Sequence, residues 1–250
     1  MQSKRILTIT VLAALLLVAA GCGAKEQLEN NAANNATTGG GTTQTEPSNT
    51  AGNAASEDAA GGETATDEPT DVKSWDAMPE MTIDQSKTYL AHFTTNKGDF
   101  TVELFAKDAP QTVNSFVFLS NEKFYDGVKF HRIIETFMIQ TGDPTGTGSG
   151  GPGYNIPDEL DNGYKYDEGI VAMANTGAPD SGGSQFFICT GADAANLNSM
   201  PNYTIFGKVV EGMDVVTAIA QTPVEASQMT GEVSVPSEEI KIETISIETK

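Results

Sequence analysis

Two adjoining stretches of this sequence decide the fold: FHRII at residues 130–134 and FMIQTGD at residues 137–143. Both are rich in aromatic and β-branched residues, which predicts two strands separated by a short turn. The first carries Arg132, the only arginine beyond residue 5, in a chain of net charge −20 where lysine supplies nearly all the positive charge. A guanidinium in an apolar strand indicates that a planar, permanently charged donor is needed there. The alternative is an ordinary surface arginine.

The first 21 residues have the pattern of a secretory signal peptide. Lys4 and Arg5 form a basic start, and residues 6–20 are apolar or small but too few to span a bilayer comfortably. The segment ends in LVAAGC at residues 17–22, which resembles the cleavage site of bacterial lipoproteins. The resemblance implies that Cys22 becomes a lipidated N-terminus. An ordinary secreted protein or an uncleaved anchor is the alternative.

Residues 22–74 are predicted to be a lipidated, disordered acidic linker. Large apolar residues are almost absent up to residue 70, so this segment cannot bury enough surface to offset the entropy of ordering. A flexible coil of this length has an r.m.s. reach of about 40 Å, which holds a following domain clear of the lipid headgroups. Residues 75–87 form an extension that either packs on the domain or simply ends the linker.

Residues 88–250 are predicted to form one domain, long enough for a single large core. This domain carries 22 acidic and 9 basic side chains, and its net charge of −13 argues against nucleic-acid binding because it repels phosphates. Once Cys22 is lipidated, Cys189 is the only thiol left, so no internal disulfide can form. Cys189 itself is predicted to be a small core residue rather than a reactive thiol.

The pattern of this domain predicts an all-β fold with two short helices. Residues 89–94 and 100–105 alternate with period two on either side of NKGD, which predicts a β-hairpin. Apolar residues spaced three and four apart predict helices at residues 110–121 and 213–220. Further strands are predicted at residues 128–134, 137–141, 169–174, 185–190 and 203–210.

Near the end of the chain, the alternation of isoleucines slips phase between Lys241 and Thr244, which predicts a β-bulge. Many short strands with only two helices favour an antiparallel barrel or a sandwich. The glycine-rich residues 146–153 lack the GK[ST] ending of a phosphate-binding loop and a helix to follow it. We therefore expect a close-packed loop beside the functional site.

Several motifs of this domain resemble the cyclophilin family. They are FHRII and FMIQ, quoted above, with MAN at residues 173–175, GSQFFI at residues 183–188 and IFGKV at residues 205–209, in cyclophilin order and spacing. The resemblance implies an eight-stranded antiparallel β-barrel capped by two helices, and peptidyl-prolyl cis/trans isomerase activity without a metal or an organic cofactor. Its partners would be proline-containing unfolded or extended polypeptides. We further expect a monomer.

By this resemblance, the predicted catalytic residues are Arg132, Phe137 and Gln140. An X-Pro bond resists rotation because the nitrogen lone pair is shared with the carbonyl group. A donor aimed at the prolyl nitrogen stabilises the twisted state, in which the lone pair is localised, and Arg132 is suited to this role. No bond is broken, so neither a nucleophile nor a proton relay is needed.

The resemblance assigns Met138, Phe187 and Leu197, together with Phe137, to an apolar slot for the proline ring. Without it, each of these side chains would be interpreted as core, because barrel strands bury Phe and Met in any case.

Three further residues are predicted to hold the substrate backbone beside Gln140. They are Asn175, through its main chain, Gln185, which lines the site, and Ala174, which keeps it open. An amide side chain such as that of Gln140 can donate and accept hydrogen bonds at once.

Gly148 and Thr176 match a shallower pocket for the residues that precede proline. Tyr203 stands where animal cyclophilins carry histidine, so we expect catalysis to be nearly independent of pH near neutrality. Asn196 is the nearest counterpart of the tryptophan found at the site of cyclosporin-sensitive members, which predicts weak cyclosporin binding.

The two histidines of the chain are predicted to be structural. His131 is expected to satisfy a buried hydrogen bond, and His92 is expected to be a strand residue. No second ligand lies at metal spacing from either one, so no metal site is predicted.

The favoured function is thus a membrane-tethered prolyl isomerase that assists the folding of exported or surface proteins. We expect it outside the cytoplasmic membrane, anchored through Cys22 to the outer face of that membrane, or to the outer membrane if one exists. One alternative is a module that binds proline-containing segments without turnover. A solute-binding lipoprotein is disfavoured because no two-lobed α/β pattern is present.

Overall fold

The computed structural model describes residues 72–250 of the chain. The signal peptide, the lipidation of Cys22 and nearly all of the predicted linker lie outside this range. Between Val72 and Lys250, no helix combines the length and the apolar character needed to cross a bilayer. The strands and helices of this range, in chain order, are β1 (Tyr89–Thr95), β2 (Gly98–Leu104), α1 (Pro110–Asn121), β3 (Arg132–Ile134), β4 (Met138–Thr141), β5 (Ile170–Met173), β6 (Phe186–Cys189), a 3₁₀ helix (Ala192–Ser199), β7 (Ile205–Glu211), α2 (Met213–Ala220), β8 (Val224–Ala226), β9 (Val233–Pro236) and β10 (Ile242–Thr249).

Eight of these strands form one antiparallel sheet in the order β10-β1-β2-β7-β5-β6-β4-β3. The sheet curls so that the chain before β3 meets the chain before β10, and Lys129 pairs there with Lys241. The backbone N–H of Phe130 donates to the carbonyl of Ile240 at 2.9 Å, which joins the two edges of the sheet. The predicted eight-stranded antiparallel architecture is confirmed.

The predicted hairpin, both helices and the bulge are confirmed. In the pairing of β1 with β10, Thr94 lies opposite Thr244 and Thr95 lies opposite Ile242, so Glu243 is the extra residue of the bulge. The bulge returns Ile242 to the same buried face as Ile245. Without it, one of the two isoleucines would face solvent.

The main core lies inside the curled sheet and is covered by α1. The ring of Phe116 on α1 contacts Phe186 and Phe206, with ring centroids 5.5 and 5.4 Å apart. The first N–H groups of a helix have no partner within the helix, and here the carboxylate of Glu159 accepts hydrogen bonds from Gln111 and Thr112 at 3.0 and 2.9 Å. This contact fixes where α1 begins.

Residues 75–87 pack on the barrel. This is the first of the two alternatives that the sequence left open for them. The ring of Trp75 lies against Phe118 and Phe124, with centroids 5.2 and 5.9 Å away, and its backbone N–H donates to the carbonyl of Pro152 at 2.9 Å. The buried side chain of Asn114 accepts a hydrogen bond from the backbone N–H of Thr82 at 2.9 Å.

Two elements were not predicted from the sequence. The hairpin of β8 and β9 has no continuous buried face, since Val233 and Val235 are exposed, and its pattern therefore carries no strand signal. The 3₁₀ helix buries only Ala194, so its sequence resembles that of a loop. The strand predicted at residues 128–134 is also shorter than expected, because residues before Arg132 turn away to pair with the last strand region.

Candidate active site

The register of the sheet sets three predicted site residues, Arg132, Gln140 and Phe187, in one row. Arg132 on β3 lies opposite Gln140 on β4, Gln140 lies opposite Phe187 on β6, and Phe187 lies opposite Ala172 on β5. Residues directly opposite each other in an antiparallel sheet point to the same face. This row faces the outside of the curled sheet, while Ile139, the neighbour of Gln140 in the chain, points into the main core.

A second apolar cluster, which we call the outer cluster, covers this outer face. Its buried members are Met138, Tyr166, Ile170, Ala172, Phe187, Cys189, Ala194 and Ile205. Half-buried side chains pack against them, and these are Phe105, Ile134, Phe137, Ala174, Leu197 and Tyr203. All four residues predicted for the proline slot therefore belong to the outer cluster, and none of them belongs to the core inside the sheet.

Three aromatic rings lie next to one another at the predicted slot. The rings of Phe137 and Phe187 lie 6.4 Å apart at 40°, and those of Phe187 and Tyr203 lie 5.4 Å apart at 89°. The hydroxyl of Tyr166 donates to the carbonyl of Tyr203 at 2.7 Å, which holds the third ring in place. Leu197 is contributed by the 3₁₀ helix.

Arg132 borders the outer cluster and does not point away into solvent. Its Nη1 lies 3.4 Å from the Oε1 of Gln140 and 3.6 Å from the sulfur of Met138. Its Cζ lies 5.9 Å from the centre of the Phe137 ring, within range of a cation–π contact. The structure thus brings the three predicted catalytic residues together around one charged group.

Glu232 also binds Arg132, and the sequence did not predict it. The Nε of Arg132 donates to Oε2 of Glu232 at 2.6 Å, and Nη2 donates to Oε1 at 2.8 Å. The hydrogen bond from Arg132 lowers the pKa of the Glu232 carboxyl group, and the hydroxyl of Ser234 adds to this effect. Glu232 lies in the turn between β8 and β9, 100 residues along the chain from Arg132, where no sequence pattern connects them.

A cavity of about 760 Å³ adjoins the slot. Its walls include Gln140 and five other residues predicted to bind substrate, namely Gly148, Ala174, Asn175, Thr176 and Gln185. Nε2 of Gln140 donates to Oε1 of Gln185 at 3.0 Å, and Nε2 of Gln185 donates to the carbonyl of Gly150 at 2.9 Å. Gln140 therefore marks the border between the slot and the cavity.

Asn175, just after the end of β5, leaves its main chain available. The side chain of Asn175 donates to the carbonyl of Asn202 at 2.7 Å and accepts from the N–H of Gly177 at 3.0 Å. Among residues 72–250, no hydrogen bond uses the backbone N–H or carbonyl of Asn175. Thr176 is exposed, and its hydroxyl is bonded to that of Ser181 at 3.0 Å.

Asp143 organises the glycine-rich loop beside the cavity, as expected for a close-packed loop. Its side chain accepts hydrogen bonds from the backbone N–H groups of Thr145, Gly148 and Gly150 at 2.7, 2.6 and 3.0 Å. Burial opposes ionisation of Asp143, but these bonds and the Thr145 hydroxyl outweigh it and lower the pKa of the carboxyl group.

The prediction that His131 satisfies a buried hydrogen bond is wrong. Both of its ring nitrogens are buried, and neither has a hydrogen-bond partner within residues 72–250. The nearby carboxylate of Asp143 is already occupied by the loop, as described above. Burial lowers the pKa of His131, so the ring is neutral near pH 7.

The surroundings of His92 and Cys189 indicate structural roles. His92 contacts the hydroxyl of Thr101 and the carboxylate of Glu248, each at 3.1 Å. Burial raises the pKa of the Cys189 thiol to about 12, consistent with the predicted core role. Between Val72 and Lys250, no group of three or more His, Cys, Asp or Glu side chains is arranged to hold a metal ion.

Comparison with known families identifies the chain. The family model for the cyclophilin type peptidyl-prolyl cis-trans isomerase matches residues 90–247. The chain belongs to the cyclophilin family. This cyclophilin is 47% identical over 139 residues to a peptidyl-prolyl cis-trans isomerase of Helicobacter pylori, a match that covers 54% of this chain and 83% of that protein. It is 41% identical over 178 residues to peptidyl-prolyl cis-trans isomerase A of Mycobacterium tuberculosis, covering 64% and 92% of the two chains.

Solved structures agree with this assignment. A cyclophilin type peptidyl-prolyl cis-trans isomerase of Cryptosporidium parvum is 34% identical, with a TM-score of 0.58, and the match covers 65% of this cyclophilin and 99% of that chain. A second structure of that protein, in the presence of the dipeptide Ala-Pro, has a TM-score of 0.57 at 35% identity. The cyclophilin described here is accordingly a peptidyl-prolyl cis-trans isomerase.

Proposed function

We propose that this cyclophilin rotates X-Pro bonds by donating a hydrogen bond from Nη1 of Arg132 to the prolyl nitrogen as the bond twists. The observation that carries the proposal is the position of Nη1, between the Met138 sulfur and the Gln140 side chain at the edge of the outer cluster. A proline ring in the slot puts its nitrogen beside this group. The lone pair of that nitrogen can accept a hydrogen bond only when the bond is twisted, so the contact favours the transition state over either ground state.

The energy required is within reach of such a contact. Uncatalysed X-Pro bonds exchange over tens to hundreds of seconds, and reaching the millisecond range requires about 6 kcal/mol of transition-state stabilisation. One well-placed donor to the group that gains charge in the transition state can supply about 3 to 4 kcal/mol. Selective binding of the twisted form in the slot supplies the rest.

The substrate chain runs from the slot into the adjoining cavity. The proline ring occupies the slot formed by Phe137, Met138, Phe187 and Leu197, and the residues that precede proline lie between Gly148 and Thr176. An extended peptide there can pair with the available backbone groups of Asn175. The Cryptosporidium parvum relative, whose structure was determined in the presence of Ala-Pro, supports a proline-containing peptide as substrate.

Exchange spectroscopy on an Ala-Pro peptide tests this mechanism. We expect the wild-type protein to accelerate cis/trans exchange, and Arg132→Ala to lose nearly all of this acceleration while peptide binding weakens little. Lys208→Ala, which removes an exposed positive charge from β7, is the matched control and should retain full exchange. Wild-type binding without exchange would instead favour a module that only holds proline-containing segments. Unchanged exchange in Arg132→Ala would contradict the mechanism.

We further propose that the enzyme acts outside the cytoplasmic membrane, on exported or surface proteins, as a lipid-anchored monomer. The support is the signal-like start of the chain, the lipoprotein-like cleavage site before Cys22 and the polar linker that follows. Two or more acyl chains on Cys22 would anchor it stably.

Metabolic labelling with radioactive palmitate should label the wild-type chain and not Cys22→Ser, and only the wild-type chain should sediment with membranes. Release of the unlabelled wild-type chain into the medium would contradict the anchor.

A further inference from the structure

The ion pair between Glu232 and Arg132 joins the β8–β9 hairpin to the active site. The turn that carries Glu232 is closed by its own backbone, since the N–H of Ser227 donates to the carbonyl of Glu232 at 2.7 Å and the N–H of Gly231 donates to Ser227 at 2.8 Å. Gly231 has a positive φ of 75°, a conformation that suits glycine. The backbone that carries the Glu232 side chain is therefore fixed by the hairpin.

The two residues meet in a specific orientation. A guanidinium group offers its hydrogen-bond donors in a rigid planar fork. Glu232 takes the side edge, formed by Nε and Nη2, with both carboxylate oxygens. Nη1 lies in the same plane, at the opposite edge of the group, next to Gln140 and Met138. The carboxylate thus holds the guanidinium at the edge away from the outer cluster, and within residues 72–250 Nη1 makes only the two long contacts to Gln140 and Met138.

We propose that Glu232 is a positioning residue for the isomerase reaction. The proposal rests on the proposed role of Arg132, because Glu232 acts only through that side chain. Arg132 is a long side chain with many rotamers, and without a fixed partner it can swing toward solvent. Two parallel hydrogen bonds to one carboxylate fix both the direction and the rotation of the guanidinium plane.

A positioning role and a stabilising role of Glu232 predict effects of different size on the reaction rate and on the stability of the fold. The two side chains are 31% and 38% exposed, and ion pairs at such sites stabilise a fold by only about 0 to 1 kcal/mol. Misplacing a catalytic group by about 1 Å can cost up to about a hundredfold in rate. Loss of the pair should therefore reduce catalysis far more than it reduces stability.

Kinetic comparison of Glu232→Gln and Glu232→Ala with wild type tests the proposal. We expect kcat for an Ala-Pro peptide to fall about tenfold while KM changes less than about twofold, since ground-state binding in the slot is intact. The melting temperature should change little. Glu225→Gln, on the same hairpin with the same change of charge and an exposed side chain, is the matched control and should behave as wild type.

Nitrogen-15 spectra supply a second readout. The Nε–H signal of Arg132 reports whether the guanidinium is held in place, which a measurement of stability does not. Arg132 is the only arginine beyond residue 5, so the signal is unambiguous in the chain without its signal peptide. We expect it to exchange slowly with water in wild type and in Glu225→Gln, and to exchange rapidly or broaden in Glu232→Gln.

Three outcomes would overturn the proposal. Wild-type kcat in both Glu232 variants, with Arg132→Ala inactive, would remove Glu232 from catalysis and leave the role of Arg132 standing. A kcat/KM above wild type in Glu232→Ala would show that the carboxylate competes with substrate. An unchanged Nε–H signal in Glu232→Gln would show that the pair does not hold the guanidinium. Full activity in Arg132→Ala would instead refute the role of Arg132 itself.

Discussion

Gln140 lies directly opposite Arg132 in the pairing of β3 with β4, and its Oε1 is 3.4 Å from Nη1 of the arginine. The same amide donates to Gln185, which in turn donates to the carbonyl of Gly150. An amide side chain can accept a hydrogen bond at its oxygen and donate from its nitrogen at the same time. The proline slot and the glycine-rich loop are therefore connected through two glutamines.

Replacing Gln140 with leucine should weaken catalysis without weakening the fold. Leucine is similar in size but breaks both contacts, so Arg132 loses a neighbour and Gln185 loses a donor. We expect kcat/KM for an Ala-Pro peptide to fall about tenfold, the effect of about 1.4 kcal/mol. Gln221→Leu, at an exposed position after α2, is the control. Equal activity of the two variants would show that the glutamine pair is dispensable.

Asp143→Asn should loosen the glycine-rich loop and destabilise the protein by about 2 kcal/mol, because an amide cannot accept all of the hydrogen bonds that this buried carboxylate accepts. The pKa of Asp143 lies below its ordinary value of 3.8 in the folded protein. Its contribution to stability is therefore complete above that value and is lost as the pH falls through the lowered pKa.

Urea unfolding of wild type and Asp143→Asn at several pH values checks this prediction. The difference in unfolding free energy should be constant near neutrality and shrink in acid. Asp126→Asn, on an exposed turn, is the control and should match wild type throughout. A difference that grows as the pH falls would have the wrong sign.

Trp75→Ala should lower the free energy of unfolding by about 2 kcal/mol, since it removes a half-buried ring that contacts Phe118 and Phe124. Chemical denaturation followed by circular dichroism measures this change. Met81→Ala, at an exposed position of the same extension, should cost less than about 0.5 kcal/mol. Equal stability of wild type and Trp75→Ala would mean that the extension does not contribute to the fold.

The Cys189 thiol should not react in the folded protein. It is fully buried, and burial raises its pKa to about 12, so almost no thiolate exists at pH 8. In a Cys22→Ser chain, where Cys189 is the only thiol, we expect labelling with a thiol reagent to be at least about a hundredfold slower than in urea. An Asp126→Cys chain that also carries Cys22→Ser gives the reference rate for an exposed thiol. Rapid labelling of Cys189 without denaturant would contradict its burial.

Much of the fold follows from local patterns in the sequence. The turn at Asn96 and Lys97, the proline at the start of α1 and the phase slip before Thr244 each leave a signal within a few residues. The β8–β9 hairpin leaves none, because Val233 is exposed and the strands are short. A period-two pattern reveals only those strands that bury one face. The strands of this hairpin do not bury one face.

The residues of the site also divide into those that the sequence could identify and those that it could not. The residues of the slot could be named because their motifs resemble those of cyclophilins, although periodicity alone would have placed Met138 and Phe187 in the main core. Glu232 could not be found, since an ion pair between distant segments depends on the folded path of the chain and not on spacing. The prediction for His131 was wrong because the alternation of apolar residues indicates that a side chain is buried. It does not indicate whether a hydrogen-bond partner lies nearby.

The outer cluster lies on the outer wall of the curled sheet, and with it the proposed proline slot. A polypeptide can therefore lie across the enzyme at any internal proline, with neither terminus threaded through an opening and no strand displaced. A client whose two ends are already folded remains accessible, which is compatible with the proposed action on exported proteins.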